Sequence, residues 1–340
     1  MNLNKRNLRT SIAGALGLLL MILDGKTALA GAIEGVNLCF TTLVPSLFPF
    51  FVLSVLLTGA LSGQALPFLR PIAKICKVPQ GAESLLAIGF LGGYPVGAQN
   101  VAIMHRAGQI SDMQAARMIA ICNNAGPAFI FGILGSMFSD PKIPWFLWAI
   151  HIISAFMIGI LLPTDADTKP ATPLTREIKL TDALEQAVKV MALVCGWVIL
   201  MRIVLAFLER WFLCLLPTAV QITVCGIIEL SNGCVRLAQI DSEGLRFIIA
   251  SGLLSLGGIC VTLQTASVTK NISMKLYYPG KLLECCISIL LSYLIQPLFL
   301  PAQPVHFRII PISAATGAFL LISYLRIFEK SSRIPSLVSI

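Results

Sequence analysis

Charged side chains are what this chain has least of. Asp, Glu, Lys and Arg make up 12% of its 340 residues, about half of the roughly 25% carried by an ordinary soluble domain. So few charges cannot cover a water-exposed surface. With 56% hydrophobic residues and a mean hydropathy of +0.86, the composition is that of a polytopic membrane protein. Enzyme signatures are missing too. There is no G-x-x-x-x-G-K-[ST], so the chain is not its own ATPase, and neither H-E-x-x-H nor G-x-S-x-G occurs. No catalytic residue is expected. The ten cysteines contain no C-x-x-C pair, and most lie in apolar runs as small hydrophobic residues. His105, His151 and His306 are scattered without ligand spacing, so neither a metal nor a cofactor is expected. The net charge of +9 would suggest nucleic acid in a soluble protein. In a membrane protein it follows from Lys and Arg in cytoplasmic loops, and no nucleic-acid partner is expected.

Apolar segments divide the chain. Lys5, Arg6 and Arg9 precede a run over residues 12–23, and Thr27-Ala28-Leu29-Ala30 resembles a signal cleavage site. Asp24 and Lys26 interrupt that approach and another apolar run follows at once, so residues 1–30 are read as an uncleaved first span. Residues 31–162 form a first repeat, 163–182 a polar cytoplasmic linker containing Asp165, Asp167, Arg176 and Glu177, and 183–300 a second repeat. Residues 301–340 hold a final span and a basic tail.

Within the first repeat, residues 89–135 read GFLGGYPVGAQNVAIMHRAGQISDMQAARMIAICNNAGPAFIFGILG. Two apolar segments here are each interrupted, one by Gly92, Gly93, Tyr94 and Pro95 with Gly97 close behind, the other by Asn123 and Asn124 before Gly126-Pro127. Unpaired backbone is costly in hydrocarbon, so such breaks persist only where protein or a water-filled cavity surrounds them. The second repeat has breaks in the same order: Glu229 followed by Ser231, Asn232 and Gly233, then Gly257 and Gly258. Polar breaks at corresponding places in two halves point to the binding site of a secondary transporter.

Charge suggests how these segments sit. If all ten apolar segments cross fully, Lys and Arg are spread over both sides. If residues 84–104 and 217–237 are instead re-entrant hairpins, turning at Gly-Gly-Tyr-Pro and at Ser231–Gly233, then Arg106, Arg117, Lys169, Arg176, Lys179 and Lys189 join the inner set. The expected fold is therefore an all-α polytopic membrane protein of about eight transmembrane helices plus two re-entrant hairpins. The halves are inverted repeats, and both termini are cytoplasmic.

The breaks carry the chemistry. A hairpin tip offers backbone N–H groups and the positive end of a half-helix, which attract carboxylate or phosphate. Asn123 and Asn124 supply donors and acceptors to a polar ligand, or equally hydrogen bonds between helices. Glu229 stands alone in an apolar stretch, where it could carry a coupling proton, bind a cation such as sodium, or pair with Arg202. Arg202, the basic residue read as deep within a span, could instead meet an anion. Gln264, with Thr262 and Thr265, could line the same cavity. The ligand expected is a small anionic metabolite; self-association is left open.

At GFLGGYPVGAQ, ICNNAGPAFIFGILG, IIELSNG and LLSLGGICVTLQ, the chain resembles the YlbJ-type sporulation integral membrane proteins, which belong with the nucleoside-recognition or gate domain families. The resemblance covers about residues 38–300. It implies an endospore-forming bacterium and a place in its cytoplasmic membrane, at the outer forespore membrane during sporulation. It further implies movement of dipicolinate from mother cell to forespore, in a fold similar to concentrative nucleoside transporters. Dipicolinate is a small planar dianion, which the residues named above would suit. A nucleoside or other small-metabolite carrier, and a membrane scaffold that transports nothing, are the alternatives. The second half offers one Asn where the first offers two.

Overall fold

The computed structural model of the chain describes residues 5–61, 64, 66–164, 178–300 and 309–332. Most of the expected linker, with Asp165, Asp167, Arg176 and Glu177, lies outside the described residues, as does the end of the basic tail. Among the described residues all regular elements are helical. Five stretches are long and apolar enough to cross a membrane: Gly25–Leu61, Ile143–Leu161, Leu180–Trp211, Glu243–Val268 and Tyr277–Leu298. Shorter apolar stretches occupy Ser11–Leu23, Thr218–Ile228 and Ser313–Ser323.

The chain opens with α1 (Lys5–Leu23), turns at Asp24, and continues through α2 (Gly25–Leu38) and α3 (Val44–Leu61). Between α2 and α3 lies a π-helical turn, Cys39–Leu43. Its cause is Pro45, which has no N–H and whose ring crowds the carbonyl of Thr41. A widened turn accommodates both. After the short α4 (Arg70–Ile75) come α5 (Ser84–Gly92) and α6 (Val96–Arg106), which fold back on each other. The reversal uses Gly93 at φ +72°, a conformation open to glycine at little cost, and a cis Tyr94–Pro95 peptide.

The next segment is split into α7 (Asp112–Cys122) and α8 (Pro127–Gly132) by four non-helical residues. A capping box starts α7: Ser111 Oγ accepts from the Gln114 amide at 3.2 Å, and Gln114 Oε1 accepts from the Ser111 amide at 2.9 Å. It stops at Asn123, and Pro127 begins α8 in the first turn, where no N–H is needed. Two long helices follow, α9 (Ile143–Leu161) and α10 (Leu180–Trp211).

The second half contains a second hairpin, α11 (Thr218–Ile228) and α12 (Leu230–Cys234), then a second broken helix, α13 (Glu243–Leu256) and α14 (Gly258–Val268). The break in the latter is Gly257-Gly258, both residues at positive φ. Finally α15 (Tyr277–Ile295) and α16 (Ile309–Ser332) pack side by side. Each half thus contains a helical hairpin followed by a broken helix.

Two sequence readings are corrected here. The second hairpin does not turn at Ser231-Asn232-Gly233, because those residues form the short α12. The reversal is at Glu229, whose backbone is extended at φ −141°, ψ 112°. Lys281 lies buried within α15. Its neighbours Tyr-Pro-Gly look like a turn but occupy the first turn of that helix, where Pro is tolerated. Arg117, counted among the topology-setting charges, is buried. It donates to the Lys77 carbonyl at 3.0 Å and to the carbonyls of Cys76 and Gly159.

Glycines make the packing possible. Gly89 in α5 and Gly97 in α6 face each other, and a Cβ on either would overlap the carbonyl oxygen of Cys122 at the end of α7. In the second half Gly226 and Gly233 bring α11 and α12 into backbone contact. Gly31 and Gly35 let α2 approach Ile199, Ile203 and Ala206 of α10. Large apolar side chains such as Leu29, Phe40, Leu53 and Leu200 point outward. In its most apolar stretch, Glu243–Val268 is 72% buried and Gly25–Leu61 only 22%, which puts the broken helix at the centre and α2–α3 at the periphery.

Candidate functional site

The four interruptions meet. A Cβ built on Gly126 would stand 3.0 Å from the Cα of Gly93, so the first hairpin tip touches the α7–α8 break. A Cβ on Gly258 would stand 2.7 Å from the Ile227 carbonyl oxygen, which puts the α13–α14 break against the second hairpin. The halves are joined by Tyr94, whose Oη donates to the Leu254 carbonyl at 2.8 Å. Between the tips lies a cavity of about 50 Å³. Its polar edge is formed by Gly93, Tyr94, Gly126, Glu229, Ser231 and Gln264. Leu47, Phe51, Phe129, Val194, Val198 and Val261 supply apolar walls from α3, α8, α10 and α14.

Of the residues singled out in the sequence, Gly92, Gly93, Tyr94, Gly126, Glu229, Ser231 and Gln264 line this cavity. The others stand behind it. Gly97 and Gly233 lie in backbone contacts, while Gly257 and Gly258 pack against Tyr94 and α11. Pro95 closes the hairpin turn as the residue before α6. Asn232 is buried beside Glu229. The Glu229 carboxylate spans the start of α12, accepting from the Ser231 amide at 3.2 Å and from the Asn232 amide and Nδ2, both at 2.7 Å. An acceptor placed there satisfies N–H groups that the first helical turn leaves unpaired. Its carboxylate is thereby committed to the hairpin.

Arg202 does not pair with Glu229. Its Nε donates to Glu34 Oε2 at 2.8 Å and its Nη2 to Glu209 Oε2 at 2.8 Å. Glu209 in turn accepts from Arg236 just beyond α12. This chain of charges ties α2, α10 and the second hairpin together. The two carboxylates occupy Nε and Nη2 of Arg202, while its Nη1 is buried without a hydrogen-bond partner among the described residues.

Asn123 and Asn124 face a buried network on the other side of Tyr94. Asn123 Nδ2 donates to Thr265 Oγ1 at 2.7 Å and to Tyr277 Oη at 3.3 Å. Asn124 Oδ1 accepts from Lys281 Nζ at 2.8 Å, and Lys281 also donates to Glu284 Oε2 at 2.8 Å. His151 of α9 lies beside this pair, with Nδ1 3.5 Å from Glu284 Oε1 and 3.2 Å from Ser255 Oγ. The Ala125 amide donates to His151 Nε2 at 3.0 Å, so the ring proton is assigned to Nδ1. Lys281, Glu284 and His151 were not singled out by the sequence reading. One signal was there: Lys281 and Glu284 are opposite charges three residues apart at the start of an apolar helix, a spacing that places them on one face. His151 carries no local signal.

No protein-family model matches the chain, and no solved structure matches it. Among curated proteins, the chain is 27% identical over 300 aligned residues to the sporulation integral membrane protein YlbJ of Bacillus subtilis (strain 168). The alignment covers 74% of this chain and 73% of that protein. With its five long apolar helices the chain is an integral membrane protein, similar to the YlbJ-type sporulation integral membrane proteins.

Proposed function

We propose that this protein is a carrier for a small anionic metabolite, with dipicolinate as the substrate, moved from mother cell to forespore during sporulation. The observation that supports it is the convergence of two hairpin tips and two helix breaks around one cavity. Interrupted helices lining a cavity are the arrangement by which membrane carriers expose polar backbone to a solute. The apolar walls suit the faces of a planar ring, and the Ser231 and Gln264 side chains suit its polar edge. In this reading the hairpins α5–α6 and α11–α12 re-enter the bilayer, eight other segments span it, and the halves are inverted. Both termini then face the cytoplasm, and one half rocks against the other to open the cavity to each side in turn.

Uptake of labelled dipicolinate into vesicles containing the purified protein tests the reading. Accumulation above empty vesicles is expected, and its loss in Asn123→Ala/Asn124→Ala. No uptake by the unaltered protein would end the carrier reading and leave a sporulation scaffold. A second substrate class has one observation in its favour: the residues lining the cavity include the Glu229 carboxylate and the Gln264 amide but no cation, which suits a neutral, hydroxylated ligand such as a nucleoside. Competition by uridine in the same assay separates the two.

A further inference from the structure

A carrier for a carboxylate needs a positive charge near its cavity, and the cavity lining supplies none. Arg202 is committed to Glu34 and Glu209. A cation stands beside the cavity wall: Lys281 Nζ lies 5.8 Å from the centre of the Tyr94 ring, and Tyr94 is part of that wall. Lys281 is itself neutralised by an internal carboxylate, Glu284. That carboxylate is incompletely satisfied. Its Oε2 accepts from Lys281, while no donor among the described residues hydrogen-bonds Oε1. Oε1 is fully buried, with His151 Nδ1 standing off at 3.5 Å, and a buried carboxylate oxygen left so is costly.

We propose that Lys281 and Glu284 form an exchange site, where a proton taken up by Glu284 and a substrate carboxylate taken up by Lys281 together replace the internal ion pair. This rests on the carrier reading above and adds the coupling ion to it. The balance is simple. A proton from water on the loading side forms an O–H bond at Glu284 Oε1, and Lys281 stays an ammonium. The substrate carboxylate then takes the position beside Nζ that Glu284 gives up. Counting the one carboxylate that Lys281 takes up, the charge at the pair is the same before and after; the second carboxylate of dipicolinate adds one negative charge that Lys281 does not offset. On the opposite side the proton returns to water, Glu284 pairs with Lys281 again, and the carboxylate is expelled. The coupling is that of a proton and an anion moving together.

The surrounding groups favour Glu284 over the alternatives. His151 cannot take the proton without losing the hydrogen bond that its Nε2 accepts from Ala125. Tyr277 and Cys285 on α15, Tyr94 in the hairpin turn and Cys122 on α7 are the other titratable groups facing the pair. Each is neutral in its protonated form. From α13 come only the hydroxyls of Ser251 and Ser255, which contact Ser288 and His151. Asn124 Oδ1 holds Lys281 in place from the α7–α8 break, so movement of that break reaches the ion pair directly.

The test is calorimetric binding of dipicolinate to the full-length protein in detergent, run at one pH in two buffers of different ionisation enthalpy. Binding by the unaltered protein should take up close to one proton per dipicolinate. Glu284→Gln should bind with no proton uptake. Lys281→Met/Glu284→Leu, which removes both charges at once, should bind at least about tenfold more weakly, roughly 1.4 kcal/mol. Binding by the unaltered protein without proton uptake would overturn the inference, whether or not the variants fold. Unchanged affinity in the double variant would do the same, and in both cases the carrier reading survives. If the unaltered protein binds no dipicolinate and carries none into vesicles, both readings fall.

Discussion

Tyr94 and Leu254 join the two halves of this protein, the phenolic hydroxyl donating to the main-chain carbonyl at 2.8 Å across 160 residues of sequence. The carbonyl is available because α13 ends two residues later, at Leu256, and the last carbonyls of a helix have no partner within it. Tyr94→Phe removes the donor and keeps the ring. The expected cost is about 1–2 kcal/mol, that of a buried acceptor left unpaired, read as a lower thermal transition at fixed scan rate in detergent. An unchanged transition would mean that the hydroxyl does not join the halves.

Glycine contacts give a sharper contrast. A Cβ at Gly97 would overlap the Cys122 carbonyl, whereas one at Gly196 in α10 meets nothing within 4 Å. Gly97→Ala should destabilise by about 3 kcal/mol or more, since main chain cannot yield as a flexible side chain can. Gly196→Ala should leave the protein intact. The yield of monodisperse protein reports both, and equal behaviour of the two variants would contradict the packing of the first hairpin on α7.

The charge chain around Arg202 should respond asymmetrically. The Arg202 side chain is 4% exposed and that of Glu34 55%. Arg202→Met leaves Glu34 without its partner and Glu209 with Arg236 alone, and should cost about 2 kcal/mol. Glu34→Gln keeps an oxygen that can accept from Arg202 and should cost less than about 1 kcal/mol. The order of the two transition temperatures is the measurement, and the reverse order would refute the assignment.

Glu229 should protect the second hairpin. Its carboxylate accepts three hydrogen bonds from Ser231 and Asn232. In Glu229→Ala those amides lose their acceptor, so hydrogen exchange over α12 should accelerate by at least about tenfold, equivalent to 1.4 kcal/mol of lost protection. Exchange at the α5–α6 hairpin should not change.

Labelling can settle whether the first hairpin re-enters the membrane. In a background with its ten cysteines replaced, Lys74→Cys and Arg106→Cys flank α5 and α6. A reversal within the bilayer puts both on the same side, so an impermeant thiol reagent added to sealed vesicles should reach both or neither. Opposite accessibility would mean that α5 and α6 together cross the membrane, and the cavity between the tips would lose its first wall.

Much of the architecture could be read from local chemistry. Gly92–Pro95, Asn123–Pro127 and Gly257-Gly258 interrupt helices because glycine, proline and asparagine do so within a few residues of their own position. Glu229 was legible as a residue of interest for the same reason, since it stands alone in an apolar run. Its place at the turn was not, because Ser231-Asn232-Gly233 looks the better turn and becomes helical once Glu229 caps its amides. The burial of Lys281 was not legible, because Tyr-Pro-Gly before it resembles the end of a loop. In the folded protein that tripeptide lies in the first turn of α15, where Tyr278 is exposed while Gly280 and Lys281 are buried.

Taken by itself, the sequence decided the class of environment and the places where helices break. Both depend on residue type and on neighbours a few positions away. Tertiary structure alone decided which charges meet. Lys281 finds Asn124 across 157 positions, and Arg202 finds Glu34 across 168, whereas Glu229 was only one of the partners the sequence left open. A buried ion takes the partner that helix packing brings within reach, and packing is set by glycine contacts and side-chain shape along whole helices. No local pattern encodes that choice.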